Sequence, residues 1–237
     1  MIPHAGRDQK MNEDKKRFIE LLAESGAVQF GDFTAKSGRK TPYFINTGKL
    51  TYGDQLDLVG KMYAQTYVEN IGKESLLLFG PAYKGITLVA VTAAALYSQY
   101  GVRVPVCFNR KEKKDHGEGG AIVGKIPGKD DRIVIVEDVI TAGTAIRESM
   151  ELLKILDLGR VESIIISVDR MEKGRGEQSA LTELEQEFGV KVYPIVTIRE
   201  VVSYLHNREI GGRVYIDDAL YARVLEYQKI YGVNSGD

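Results

Sequence analysis

Continuous apolar runs rich in β-branched residues recur at residues 75–79, 102–108, 133–136, 161–168 and 190–196. They lack the apolar–polar alternation of a half-exposed strand, so they read as strands covered on both faces, as in a parallel sheet. Between them the period changes. Leu56, Val59, Tyr63 and Tyr67, and later Ile146, Met150, Leu153 and Leu156, recur at the spacing of one helix face. The same reading predicts helices over 14–24, 54–71, 86–97, 146–156, 179–188, 197–206 and 216–231. Strands alternating with helices predict an α/β fold with a central, mostly parallel sheet and helices on both faces. Ahead of that alternation, two short strands at 28–33 and 41–46 flank the basic turn Lys36-Ser-Gly-Arg-Lys40.

Composition narrows the picture. A chain of 237 residues holds one sizeable α/β domain and leaves no room for a second large one. With 32 basic and 33 acidic residues the net charge is -1, which argues against nucleic acid as a partner. The single cysteine, Cys107, excludes an internal disulfide framework and a cysteine-built zinc site, and its apolar neighbours make it a buried strand residue. Residues 1–12 are polar and no segment has the length of apolar residues needed to span a membrane, so the cytoplasm is the expected location, with no membrane partner. His4, His116 and His206 lie far apart in sequence, so any metal is expected to arrive with a substrate.

Candidate chemistry gathers after the strands. Glu137 and Asp138 follow the run at 133–136, where the chain is expected to leave the core, and Val139-Ile140-Thr141-Ala142-Gly143-Thr144-Ala145 leads into a helix. Small side chains there leave backbone N–H groups accessible beside a helix N-terminus, which favours an anion such as phosphate, and Thr141 and Thr144 add hydroxyl donors. The two carboxylates suit sugar hydroxyls or a divalent metal, so the unit fits a phosphorylated sugar. An ordinary strand-to-helix turn with an acidic cap fits the same residues equally well. Lys84, in the tight loop Gly80-Pro81-Ala82-Tyr83-Lys84-Gly85, is placed at the carboxyl end of another strand and points to phosphate. From Asn109 to Gly120 the chain carries four full positive charges and three glycines. A solvated hairpin or an RNA patch would share that charge, but interleaved aromatics for base stacking are missing, and a lid closing over a polyanion accounts for charge and glycines together. Gly119, Gly124 and Lys125 imitate a nucleotide-binding P-loop, yet Ile126 replaces the required hydroxyl and Pro127-Gly128 blocks the helix that must follow. Arg170 follows the strand at 161–168 and offers a planar fork matched to a carboxylate.

These segments together resemble the type I phosphoribosyltransferases, and within them the branch acting on orotate. The stretch 133–145 is similar to the family's signature for phosphoribosyl diphosphate (PRPP), while 36–44, 79–85 and 109–120 are similar to orotate-using members in order and spacing. The resemblance implies the type I phosphoribosyltransferase fold with a small N-terminal hood. The whole chain is then a single domain: 1–13 mobile, 14–53 part of the hood, 54–200 the core and 201–237 the C-terminal helices and tail. It implies transfer of the phosphoribosyl group of PRPP to orotate, with Mg2+, in a homodimer some of whose lid residues, Lys111 among them, act in the partner's site. By the same resemblance Tyr83, Lys84, Glu137, Asp138 and residues 139–145 meet PRPP, the lid carries Arg110, Lys111, Lys114 and His116, and orotate meets Lys36, Phe44, Ile45, Thr141 and Arg170. Lys84 and the four lid residues are the implied catalytic set. The metal is expected to be held mainly by PRPP, helped by Glu137 and Asp138. Two departures stand out: Glu-Asp where many orotate enzymes have two aspartates, and Phe44-Ile45 where many bacterial relatives have two phenylalanines. A phosphoribosyltransferase for another base, and a non-catalytic PRPP-sensing regulator, are the competing readings.

Overall fold

Residues 11–35, 38–112 and 120–233 are described by the structure, a computed structural model. Helix α1 (Glu13–Glu24) starts where the Asn12 side chain accepts from the Lys15 N–H at 2.8 Å, and it buries Phe18, Ile19 and Leu22. An antiparallel hairpin of β1 (Val28–Thr34) and β2 (Lys40–Ile45) follows as a separate two-stranded sheet, with Val28 opposite Ile45 and Phe30 opposite Tyr43. A short 3-10 turn, Thr47–Lys49, leads from β2 into α2 (Gly53–Asn70).

The remaining elements alternate: β3 (Leu77–Gly80), α3 (Lys84–Tyr100), β4 (Val106–Asn109), β5 (Ile122–Gly124), β6 (Arg132–Val139), α4 (Thr144–Ile155), β7 (Arg160–Asp169), α5 (Ala180–Phe188), β8 (Lys191–Thr197), α6 (Ile198–Leu205). Among the described residues the central sheet runs β5-β4-β3-β6-β7-β8, parallel throughout except for the antiparallel edge strand β5. Alternate residues of one strand serve opposite faces. In β6, Val134 and Val136 pack with Leu78, Val59, Tyr63 and Leu96 on one side, and Ile133 and Ile135 pack with Phe79, Ile146, Leu153 and Leu184 on the other. Burial on both sides is why these strands read as unbroken apolar runs.

Several boundaries differ from the sequence reading, each for a local reason. The strand expected over 102–108 begins only at Val106, since Pro105 has no N–H to donate and contributes only its carbonyl, which accepts from Leu78 N at 2.9 Å. Pro194 is accommodated in β8 because that strand is an edge. Strands β5, β9 (Glu209–Ile210) and β10 (Arg213–Val214) escaped the pattern reading, being too short to display a period. The β9–β10 turn did carry a signal in Gly211-Gly212, both at positive φ (58° and 77°). Helix α7 (Asp218–Tyr231) closes the described chain and packs Tyr227 edge-on against Tyr43 of β2, with ring centroids 5.6 Å apart. No helix of the described residues is long and apolar enough to cross a membrane.

Candidate active site

The carboxyl ends of β3, β6 and β7 form one rim, and glycine shapes its first part. A Cβ added at Gly80 would fall on the carbonyl oxygen of Gly85, and one at Gly85 would lie 2.7 Å from the carbonyl carbon of Gly80, so strand end and helix start meet backbone to backbone. The loop is further fixed by Asn109 at the end of β4, whose Oδ1 accepts from Ala82 N at 2.8 Å. Lys84 is therefore the first residue of α3 rather than a loop residue, and its Nζ reaches Asp138 Oδ2 at 2.7 Å.

The acidic pair does not mark the chain's exit from the core. β6 continues through it to Val139, so Glu137 and Asp138 are 7% and 5% exposed. Buried carboxylates need partners, and the fold supplies them unequally. Asp138 Oδ1 accepts from Val139 N at 2.8 Å, while Oδ2 takes Lys84 Nζ and, at 3.0 Å, Thr47 Oγ1. The Glu137 carboxylate accepts from Asp138 N at 2.9 Å. Burial, then the charge of Asp138, pushes the Glu137 pKa up to about 8, against the opposing pull of Lys84. From behind, Tyr63 donates its hydroxyl to the Glu137 carbonyl at 2.7 Å and Ser167 to the Asp138 carbonyl.

Beyond the pair, Val139 is half-buried and Ile140 buried, anchoring a turn whose Thr141, Ala142, Thr144 and Ala145 are exposed. Gly143 caps α4 in the left-handed region (φ 69°), with no side chain capping the helix. The first intrahelical bond, Arg147 N to Gly143 O at 3.0 Å, leaves the preceding N–H groups outside the helical ladder. Arg147 clamps the turn. Its Nη1 donates to the Ala142 carbonyl, and its Nε and Nη2 hold Glu187 at 2.8 and 2.7 Å.

Arg170 ends up buried, 8% exposed, at the tip of β7. Its Nη2 donates to Glu172 Oε1 at 2.7 Å, its guanidinium stands 4.8 Å from the Tyr43 ring centroid, and its Nε has no partner among the described residues. Glu172 also accepts from Tyr43 and Arg39, and Gln228 of α7 donates to Tyr43 Oη at 2.8 Å. Phe44 is 46% exposed and stacks on Phe33 at 5.7 Å, whereas the Ile45 side chain turns into the core. Lys111 Nζ lies 5.3 Å from the ring centroid of Tyr83 in its own chain, and Arg110 N donates to Ala121 O at 2.7 Å. Lys36, Lys114 and His116 lie outside the described residues.

The structure thus brings Tyr83, Lys84, Lys111, Glu137 and Asp138 to one ledge. Arg170 sits at the end of the neighbouring strand, in its own polar cluster. Tyr43 and Asn109 belong to the stretches 36–44 and 109–120 that the sequence singled out, whereas sequence reasoning missed Thr47, Arg147, Glu172 and Gln228. Of these only Glu172, two residues after Arg170, carried a local hint. Among the described residues no three or more His, Cys, Asp or Glu gather in a way that could hold a metal ion.

The sequence pattern of the phosphoribosyl transferase domain matches residues 51–194. The chain is 51% identical to the orotate phosphoribosyltransferase of Clostridium acetobutylicum over 223 residues, which is 94% of this chain and 100% of that protein. It is 50% identical to the orotate phosphoribosyltransferase of Clostridium beijerinckii over 94% of this chain and 99% of that one. Among solved structures it is similar to the orotate phosphoribosyltransferase of Francisella tularensis, with TM-score 0.76, 32% identity, and 92% of this chain and 100% of that chain covered.

Proposed function

The chain belongs to the phosphoribosyl transferase family, with orotate phosphoribosyltransferases as full-length relatives, and from that premise we propose that it transfers the phosphoribosyl group of PRPP to orotate. The products are orotidine 5'-monophosphate and diphosphate, a step of pyrimidine biosynthesis. One observation carries the assignment of roles: an uncapped helix start and a buried acidic pair share a single ledge with a lysine from the adjacent strand's helix.

The exposed turn Thr141 to Ala145 receives the 5'-phosphate on N–H groups and hydroxyls, where the helix dipole adds to the attraction. Glu137 and Asp138 accept hydrogen bonds from the ribose hydroxyls. Lys84 and Tyr83 meet the diphosphate, joined by Lys111 and by Arg110, Lys114 and His116 of the lid. Orotate lies towards Phe44 and the backbone of Ile45, with Lys36, Thr141 and Arg170 supplying donors. The unpartnered Nε of Arg170 suits the orotate carboxylate.

Breaking the bond between ribose and diphosphate develops positive charge on the sugar and negative charge on the leaving group. Positioning and cations at the leaving group therefore accomplish the chemistry without a protein nucleophile. Phosphoribosyltransferases generally use Mg2+ with PRPP, and it would supply charge neutralisation at the diphosphate. Hard carboxylate oxygens suit it, but Asp138 is already bound to Lys84 and Glu137 is buried and held towards its protonated form, so PRPP would be the main ligand, with the acidic pair in a supporting role. The active form in this reading is a cytoplasmic homodimer with part of the lid acting in the partner's site.

A base panel tests the proposal. Purified protein given PRPP, magnesium and one base at a time is expected to consume orotate and to leave uracil, adenine and guanine untouched. Turnover of another base would reassign the substrate, and PRPP binding with no turnover would make the chain a sensor.

A further inference from the structure

Asp138 Oδ2 has two donors of different character. Lys84 is 47% exposed at its side chain and carries its charge on a flexible stem. Thr47 is 7% exposed, β-branched, and held in a turn closed at both ends: Asn46 Oδ1 accepts from Gly48 N at 3.2 Å, and Thr47 O accepts from Leu50 N at 2.9 Å. The turn rests directly against the lysine, because a Cβ added at Gly48 would lie 3.7 Å from Lys84 Cε. One donor is free to move and the other is not.

We propose that Thr47 is a positioning residue for the PRPP site: its hydroxyl keeps the Asp138 carboxylate in the orientation that accepts the ribose hydroxyls when Lys84 turns from Asp138 to the diphosphate. The inference rests on the roles given above to Asp138 and Lys84. It explains why the turn between the hood hairpin and α2 reaches across to β6, a contact between residues 91 apart in sequence. Without the hydroxyl, departure of Lys84 leaves Oδ2 with no donor among the described residues, and the buried carboxylate must reorient before PRPP can bind.

The test compares Thr47→Val, which keeps the shape and loses the donor, with Thr47→Ser, which keeps the donor. PRPP affinity is measured by titration calorimetry, and the Michaelis constants for PRPP and orotate are measured separately. Thr47→Val is expected to weaken PRPP about tenfold, the scale of one hydrogen bond to a charged group, with the orotate constant unchanged within about twofold and Thr47→Ser close to wild type. Equal PRPP affinity in wild type and Thr47→Val overturns the inference, as does an equal loss for both substrates. If Thr47→Val does not fold, Thr47→Ala is read in the same way. Should wild type bind PRPP without consuming orotate, the proposed function falls while the calorimetric comparison still decides the role of Thr47. Failure of wild type to bind PRPP overturns both.

Discussion

Glu137 and Asp138 are neighbours on one strand and almost equally buried, yet they face different electrostatics. Asp138 has a lysine and two neutral donors, whereas Glu137 has one backbone N–H and the negative charge of Asp138 beside it. Because the folded state raises the Glu137 pKa above its unfolded value, folding favours the protonated form. Its stability contribution is therefore intact below the ordinary carboxylate range and is lost as pH rises towards about 8. Glu137→Gln keeps the acceptor for Asp138 N and removes that loss. Thermal melts should show the variant gaining on wild type between pH 5 and pH 9, by about 4 kcal/mol, or roughly 8–16 °C in Tm. A gap independent of pH would refute the account of Glu137. At this scale the sequence pointed to Lys84, the acidic pair and Arg170 as candidates because positions at the carboxyl ends of strands mark a ligand rim, although the acidic pair lies within β6 rather than after it. It hid Thr47 and Gln228, whose partners lie 91 and 185 residues away.

Elements with a long repeating pattern were legible and those without one were not. The apolar runs of β3, β6, β7 and β8 announced the parallel sheet. β6 was read as too short because two acids ordinarily end a buried strand, and here Lys84, Thr47 and backbone donors let them continue it. The junction of β3 with α3 depends on Gly80 and Gly85, whose closest atoms are each other's backbone. Gly80→Ala should therefore push the strand end and the start of α3 apart, costing about 3 kcal/mol as an overpacked site, roughly 6–12 °C in Tm. PRPP affinity should fall with it, since Tyr83 and Lys84 move with the loop. A variant of wild-type stability and affinity would mean that the backbone contact is dispensable.

Across the whole molecule, the N-terminal hairpin and the turn that follows it are tied to the core by several hydrogen bonds, and two sets of them involve the candidate site: Thr47 with Asp138, and Tyr43 with Glu172 beside Arg170 and Gln228. The first reaches the proposed PRPP side and the second the proposed orotate side, so in this reading the N-terminal hairpin and the sheet together border the reaction. The proposed lid would add a relation between subunits. The sequence reading expects Lys111 to serve the partner's site, but Lys111 lies over Tyr83 of its own chain, and we propose instead that Lys111 serves its own site and that Lys114 crosses to the partner. Mixing Lys84→Ala chains with Lys114→Ala chains should then restore activity, because each hybrid dimer has one intact site, about a quarter of all sites after random pairing. Lys84→Ala mixed with Lys111→Ala should stay inactive, because each site of the hybrid dimer then carries one loss. Rescue by the second mixture and not the first would reverse the assignment. Subunit sharing of this kind is an expectation of the family resemblance alone, since no local pattern in one chain encodes which copy a lid covers.

The central claim is that this ledge moves a phosphoribosyl group from PRPP to orotate by holding charge in place. It is tested most directly by the loss of orotate absorbance on adding PRPP with magnesium, for wild type and Lys84→Ala side by side. The account predicts steady, magnesium-dependent loss with wild type and a rate about 10²–10³ lower when the lysine at the leaving group is removed. No loss with a wild-type protein that binds PRPP, or an undiminished rate without Lys84, would contradict it.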